Sequence, residues 1–400
     1  MKIFMPVVGV RGDVQIFLAL AKGLIDKGHD VTVALPEKFI NLTKSAGIKS
    51  ISLGGTPDDG VRELQAIMKV KSTLDAAKLG ISFFFEAIRK HTGNLQKIVP
   101  ECDLVIGYGS FGLAEADKAG KPFISVVIDP AMAEKQLTSN IGLNIGLLVE
   151  RIALHFLMTK EYRVFRQEIQ APNESVSKNP IKILLPMSQY IMTKQKNWTG
   201  KNVISGYWFL SSTEEYNAPD DLHQFLQASE MPIFITFGSA GWSETDNTEL
   251  LKIFFNALEI SRKRAIIHLS SSVLPHDIKK PENVYIVNEI SYQWIMKQVS
   301  CVIHHCGMGT TAEVLKSGIP SIPVPHMIDQ FAWAKRIHSI GVATKPISRK
   351  ELTAQSLATA ITETVSNAQL KTKAKDVSQK INNENGIADA VKAIEEVMSQ

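Results

Sequence analysis

The fold is decided by the first 35 residues, which read MKIFMPVVGVRGDVQIFLALAKGLIDKGHDVTVAL. Lys2–Val8 is a mostly apolar run typical of a buried strand, and a glycine-containing turn follows it. From Val14 to Lys27 the apolar residues recur at helical spacing, Gly28 ends the helix, and Val31–Leu35 is a second short strand. Strand, helix and strand in this order predict a βαβ unit, and therefore a parallel sheet covered on both faces.

The same alternation continues along the chain in two series. In the first half, Leu104–Gly107 and Phe123–Val127 are further strands. The second series consists of the short apolar runs Pro232–Phe237, Ala265–Leu269, Val284–Val287, Cys301–His304 and Ser321–Val324. We therefore predict an α/β protein with two Rossmann-like doubly wound domains, residues 1–210 and residues 231–400, facing each other across a cleft. A polar linker at 211–230 joins the domains, and the second domain ends in a C-terminal helix.

Composition limits the classes of protein that this chain can belong to. The 400 residues suit two domains of about 200 each. Apolar residues make up 44% and charged residues 21%, which excludes a disordered chain, a collagen-like repeat and a disulfide scaffold. The formal net charge of +4 is too small to indicate nucleic acid as a partner.

Cysteine content and hydropathy indicate the compartment. Three cysteines, Cys102, Cys301 and Cys306, are few and odd in number, which favours reduced thiols and a cytoplasmic location. The first residues predict a strand instead of a signal peptide. The longest apolar stretch, Ile141–Met158, is interrupted by charged residues, so no transmembrane segment is expected. Peripheral contact with a membrane surface stays open.

The most informative motif lies in the second half. It reads HHCGMGTTAE at 304–313 and continues as GIP at 318–320 and PHMIDQ at 325–330. A buried strand ends at the histidines, glycines permit a tight turn, and a helix begins near Thr310. The N–H groups and the positive end of the dipole at such a helix start favour an anionic phosphate.

This pattern resembles the donor-binding signature of the GT-B nucleotide-sugar glycosyltransferases, and is most similar to that of the sterol and glycopeptide-aglycone glucosyltransferases within the UDP-glycosyltransferase family. The resemblance implies that the diphosphate is held by His305, Gly309 and Thr310, the ribose by Glu313, and the sugar by Asp329 and Gln330. The full set of donor-binding residues that it implies is Gly238, Ser239, Ile290, His305, Gly307, Gly309, Thr310, Glu313, Asp329 and Gln330.

The base-binding turn departs from the family pattern. Glu289-Ile290-Ser291-Tyr292 stands where the family usually has Trp/Val-x-Pro-Gln, so the base contact at Ile290 has the weakest support. Trp294 lies at a helical spacing that favours a core residue over a platform for the base.

A second motif, GVRGDVQ at 9–15, resembles a segment of the same glucosyltransferases. Many plant relatives have a catalytic histidine at the first βα turn, where this chain offers Asp13. A carboxylate within hydrogen-bond reach of an acceptor hydroxyl can take its proton, which makes Asp13 the candidate general base. An Asp at this position can equally cap the first helix, and both roles can hold together.

The resemblance implies an inverting glycosyltransferase that requires neither a metal nor another cofactor. It would move a hexose, glucose above all, from a UDP-sugar to a hydroxyl of a hydrophobic acceptor such as a sterol, polyketide or flavonoid. Two alternatives stay open: a non-catalytic nucleotide-sugar-binding scaffold of the same fold, and a Rossmann oxidoreductase. The second is disfavoured because Gly9 and Gly12 do not form a Gly-x-Gly-x-x-Gly fingerprint.

Overall fold

Both compact units of the chain are α/β. The computed structural model describes residues 1–55, 63, 66–67, 70, 72–129, 156–174, 177–196, 198, 200–210, 216–228, 230–238, 244–269, 274, 278–326 and 328–399. The first unit comprises Met1–Gln189, Lys194–Leu210 and Asn385–Gln400, and the second comprises Tyr190–Thr193 and Ser211–Glu384.

The first unit contains one parallel sheet, with seven strands among the described residues. They are β1 (Lys2–Pro6), β2 (Asp30–Leu35), β3 (Lys49–Ser52), β4 (Leu104–Tyr108), β5 (Phe123–Val126), β6 (Lys182–Leu185) and β7 (Asn202–Ile204), in the spatial order β3-β2-β1-β4-β5-β6-β7. Its helices are α1 (Arg11–Asp26), α2 (Ile40–Ser45), α3 (Thr73–Ile98) and α4 (Leu113–Lys118), with single 3-10 turns at Glu37–Phe39 and Val99–Glu101. Residues 156–168 are also helical.

The second unit repeats the design around a five-stranded parallel sheet. The strands are β8 (Ile233–Thr236), β9 (Ala265–His268), β10 (Val284–Val287), β11 (Val302–His304) and β12 (Ser321–Pro323), ordered β10-β9-β8-β11-β12. The helices are α5 (Asp220–Gln227), α6 (Glu244–Ser261), α7 (Tyr292–Ile295), α8 (Met308–Ser317), α9 (Ile328–Ser339), α10 (Ala354–Ser366) and α11 (Ala368–Asn382), with a 3-10 turn at Met296–Gln298. Because all strands are parallel, their carboxyl ends share one edge, where α/β sheets bind ligands.

The last helix, α12 (Gly386–Met398), belongs to the first unit. The sequence pattern predicts this helix but places it in the second domain; in the structure it packs on α1. A Cβ at Gly23 would overlap Ile387, and His29 Nε2 lies 3.1 Å from a carboxylate oxygen of Glu395. Helical periodicity defines the apolar face of α12, but it cannot identify the surface that covers that face.

Further differences concern short or polar segments. Strands β3, β6 and β7 are absent from the prediction, since three or four residues give little periodicity. The predicted linker at 211–230 includes α5, whose Leu222 is fully buried against the second sheet. Of the apolar stretch Ile141–Met158, residues 141–155 lie outside the described residues. None of the described helices combines the length and apolar character needed to cross a bilayer.

Candidate functional site

The turn between β11 and α8 presents a helix N-terminus at the carboxyl edge of the second sheet. Cys306 adopts a left-handed backbone with φ of +66°, and Gly307 is the N-cap of α8. A non-glycine residue in this conformation costs about 1–2 kcal/mol, so the surrounding structure must enforce the sharp reversal. The first N–H groups of a helix have no partner within the helix, and the dipole is positive there, which suits a bound anion.

His305 lies between two glycines at this turn. A Cβ at Gly238 would lie 2.9 Å from His305 Cε1, and a Cβ at Gly307 would overlap His305 Nε2. Gly238 also has a φ of +67°, a left-handed conformation that side chains disfavour. Burial lowers the pKa of His305 to about 4, although a hydrogen bond with the Thr236 backbone opposes the shift. The ring is therefore neutral at pH 7 and is held by close packing.

The neighbouring His304 has a different environment. Its side chain is fully buried, and its Nδ1 accepts the Cys306 N–H at 3.3 Å. Burial lowers the pKa of His304 to about 3, with the charge of His305 as a second cause. His304 is thus a core residue that stabilises the turn.

A hydrogen bond connects the start of α9 to the loop before it. The amide oxygen of Gln330 accepts the backbone N–H of His326 at 2.8 Å, which sets the orientation of this amide. The His326 ring packs 4.8 Å from the Phe237 ring, centroid to centroid. Burial, followed by the charges of Arg349 and His305, lowers the pKa of His326 to about 3. Sequence reasoning passed over His326, because one histidine in a loop gives no signal of burial.

The other predicted donor residues occupy the two helix starts. Gly309 and Thr310 lie in the first turn of α8, and Thr310 is buried. Asp329 lies in the first turn of α9, and its charge adds to burial in raising the pKa of the Cys306 thiol. Burial raises the pKa of Glu313, against the charge of Lys316 and a hydrogen bond from Gln293.

Ile290 and Ser239, the last two of the predicted donor residues, have different standing in the structure. Ile290 packs against the hydrophobic cluster of the second unit, and Ser239 lies outside the described residues. Trp294 also packs on that cluster, with its ring 5.2 Å from the Tyr216 ring, in keeping with a core position. Three polar side chains that the prediction omits, Thr236, His268 and Tyr292, form a hydrogen-bonded cluster at the ends of the neighbouring strands.

Asp13 lies in the first turn of α1, in the first unit. Val10 is the N-cap residue, and the Asp13 carboxylate accepts the Val10 N–H at 2.9 Å. The side chain therefore makes a capping contact from the third helical position, and not from the N-cap itself. Gly9 has a φ of +121°, and a Cβ there would overlap the Asp13 carboxylate.

Two domain families match the two halves of the chain. Residues 3–112 match the Glycosyltransferase family 28 N-terminal domain. Residues 257–397 match the Erythromycin biosynthesis protein CIII-like, C-terminal domain. These matches cover both motifs, GVRGDVQ and the segment from His304 to Gln330. They confirm the resemblance drawn from those residues.

Curated relatives are glycosyltransferases. The chain is 27% identical to a sterol 3-beta-glucosyltransferase of Debaryomyces hansenii over 97% of this chain, but spans only 26% of that protein. It is 25% identical to the O-mycaminosyltylonolide 6-deoxyallosyltransferase of Streptomyces fradiae, over 99% of this chain and 97% of that protein.

Solved structures share the fold over the whole chain. The glycosyltransferase VinC, solved in complex with DTDP, matches with a TM-score of 0.72 over 100% of both chains at 16% identity. At this identity the likeness establishes the fold alone. It confirms the predicted GT-B architecture of two Rossmann-like domains.

We predict different phenotypes for the two adjacent histidines. His305→Ala should weaken UDP binding at least tenfold, because the ring lies at the helix start that suits a diphosphate, and it should lower the melting temperature less than His304→Ala does, because His305 is only partly buried. His304→Ala should lower the melting temperature, because it empties a fully buried position at a cost of about 2–4 kcal/mol. Calorimetric titration with UDP and thermal unfolding measure the two effects. Unchanged UDP affinity in His305→Ala would remove this ring from the site.

Because burial lowers the pKa of His326, we predict that the stability of the folded protein depends on pH. Its folded-state pKa of about 3 lies below the ordinary value of 6.5, so the unfolded chain binds more protons between these values. Stability is then fully present above pH 6.5 and is lost as the pH falls, by at most about 1.4 kcal/mol per pH unit for this group. His326→Phe keeps a ring against Phe237 and should reduce the dependence of melting temperature on pH between 7 and 4.5, while the buried His304 and His305 maintain the rest of it. His223→Phe, at an exposed imidazole, is the control with an expected wild-type slope.

Proposed function

We propose that this chain, a member of the GT-B glycosyltransferase family, moves glucose from UDP-glucose to a hydroxyl of a hydrophobic acceptor such as a sterol, polyketide or flavonoid. The reaction proceeds with inversion and requires neither a metal nor another cofactor. The observation that carries the proposal is the start of α8, where His305 is packed between Gly238 and Gly307. Main-chain N–H groups, a positive dipole and a neutral imidazole together suit a diphosphate.

In this proposal the donor is bound by the second unit. The diphosphate lies at the first turn of α8, where Gly309 and Thr310 are located, and the Gly238-Ser239 loop is beside the phosphates. Glu313 accepts hydrogen bonds from the ribose, and Asp329 and Gln330 bind the sugar hydroxyls. The turn around Ile290 binds the base.

The same groups act on the leaving group. As the bond between the anomeric carbon and the diphosphate breaks, UDP departs with the electron pair and its negative charge grows. The helix start and His305 stabilise that charge without reorganisation, because they are held in place before the reaction. Donors arranged in this way contribute about 2.7–4 kcal/mol each in well-studied enzymes.

Asp13 is the proposed general base. The acceptor oxygen attacks the anomeric carbon from the side opposite to the diphosphate, and its proton passes to the Asp13 carboxylate. The bond to the Val10 N–H, at 2.9 Å, holds this carboxylate in one orientation. A capping contact and a role as base are compatible, since a carboxylate has several lone-pair sites.

The proposed acceptor class is based on the names of the relatives and on the net charge of the chain. The curated relatives are named for a sterol acceptor and for a tylonolide acceptor. A net charge of +4 over 400 residues provides no field that would select a charged acceptor.

The described cysteines are free and buried, which agrees with our proposal of a cytoplasmic location.

The proposal predicts that UDP-glucose binds and turns over. UDP-glucose should raise the melting temperature, by mass action on the folded state, while NAD and NADP should leave it unchanged. UDP release should appear with hydrophobic alcohols from a sterol, polyketide and flavonoid panel, and EDTA should have no effect. Stabilisation by NADP alone would support an oxidoreductase instead. Stabilisation by UDP-glucose without UDP release for any acceptor would support the non-catalytic scaffold.

Asp13→Asn should lower kcat by about 10²–10⁴-fold, because the amide cannot take the acceptor proton, while UDP affinity stays near the wild-type value. Steady-state kinetics and calorimetric titration measure the two quantities. Asp26→Asn is the matched control, since Asp26 lies at the other end of the same helix in an exposed pair with Lys22. Full turnover in Asp13→Asn would exclude this residue as the base.

A further inference from the structure

Polar side chains lie at the carboxyl ends of three neighbouring strands in the second unit. Thr236 is the last residue of β8, His268 is the last residue of β9, and Tyr292 follows β10 in the turn that begins α7. These strands are adjacent in the order β10-β9-β8, with Thr236 in register with His268. Nothing in the proposed chemistry uses these three side chains, although they lie at the sheet edge that carries the site.

The three side chains are mutually hydrogen-bonded. Thr236 Oγ1 lies 2.6 Å from the Tyr292 hydroxyl and 3.1 Å from His268 Nδ1, and His268 Nδ1 lies 3.2 Å from the Tyr292 hydroxyl. Thr236 is fully buried. The rings of His268 and Tyr292 pack edge to face at 5.7 Å, and the Phe234 ring packs against both. The cluster is thus held by packing as well as by hydrogen bonds.

The proton positions follow from the acceptors. His268 Nε2 lies 3.1 Å from the carbonyl oxygen of Asn288, which can only accept, so Nε2 carries the hydrogen; in the imidazole tautomer with this hydrogen, Nδ1 is an acceptor. The Gly238 N–H, which can only donate, lies 3.2 Å from Thr236 Oγ1. Two arrangements of the hydroxyl protons satisfy every group, and in both of them Thr236 accepts from Gly238.

The cluster therefore reaches both parts of the proposed donor site. On the side of the phosphates it holds the Gly238 amide, and the backbone of Thr236 is also hydrogen-bonded to His305. On the side of the base it holds the Asn288 carbonyl through His268, while Tyr216 donates to the Glu289 carbonyl at 3.2 Å. One continuous set of hydrogen bonds joins the loop after β8 to the turn after β10.

We propose that Thr236, His268 and Tyr292 are positioning residues that couple the phosphate-binding loop at Gly238 to the base-binding turn at 288–292, so that the two are organised together for a nucleoside diphosphate. This inference rests on the proposed function, because it assumes that UDP occupies this edge. The three residues act through the backbone of Gly238, Asn288 and His305, and need not touch the ligand. Preorganisation of this kind improves affinity by removing ordering costs at binding.

Calorimetric titration with UDP tests the coupling. Thr236→Val keeps the shape and removes the shared hydroxyl, and Tyr292→Phe keeps the ring packing and removes the other hydroxyl. Each should weaken UDP binding about tenfold. Because the two hydroxyls belong to one network, the double variant should be no weaker than about tenfold, a non-additive result. Thr236→Ser, which restores the hydroxyl, should recover most of the affinity.

The controls separate positioning from general stability. Thr364→Val makes the same change at a fully buried threonine of the same unit, whose hydroxyl donates to the Ala360 carbonyl in α10. It should leave UDP affinity unchanged. Thermal unfolding of each variant shows whether a loss of affinity reflects a loss of folded protein, and Tyr292→Phe carries the test if Thr236→Val does not fold.

The possible outcomes distinguish this inference from the proposed function. If the wild-type protein does not bind UDP, the proposed function fails. If it binds UDP and both variants bind equally well, only the coupling is wrong. Losses that multiply to about a hundredfold in the double variant would also overturn it, since the two hydroxyls would then act independently.

Discussion

The close approach of one imidazole to two glycines is the constraint on which the candidate donor site depends. Gly238 lies in the loop after the central strand β8, Gly307 caps α8, and the His305 ring lies against both. Neither glycine can carry a side chain without displacing the ring. The contact fixes the distance between the loop after β8 and the N-terminus of α8, which is the proposed place of the diphosphate. Cys306 adopts an unfavourable left-handed backbone conformation, and the chain turns into α8 at this residue.

The electrostatics of this region depend on neutral groups. Burial keeps His304, His305 and His326 uncharged at pH 7. No positive side-chain charge is therefore contributed by these rings, and the attraction for an anion comes from main-chain N–H groups and the helix dipole. Fixed dipoles need no reorganisation when charge develops on a leaving group. In the proposed function, a chain with a net charge of only +4 thus binds a strongly anionic donor through local dipoles.

Much of the fold and part of the site could be predicted from particular residues. The apolar runs predicted nine of the twelve described strands, because buried parallel strands are continuous and apolar. The motif from His304 to Gln330 was predicted as a strand, turn and helix start, and the structure brings His305 together with Gly238 and Gly307. The Thr236, His268 and Tyr292 cluster was missed because its members are separated by 32 and 24 positions, a spacing that forms no local pattern.

The sequence by itself determined the class of fold, the two doubly wound halves and the helix start that suits a phosphate, since these follow from local periodicity and from glycine spacing. Only the tertiary structure decided which histidine is core and which packs on the glycines, where α12 docks, and which polar groups join the strand ends. The physical reason is that burial and hydrogen bonding depend on contacts between distant segments. Two adjacent histidines look alike in sequence, but one is enclosed on all sides while the other lies against Gly238 and Gly307.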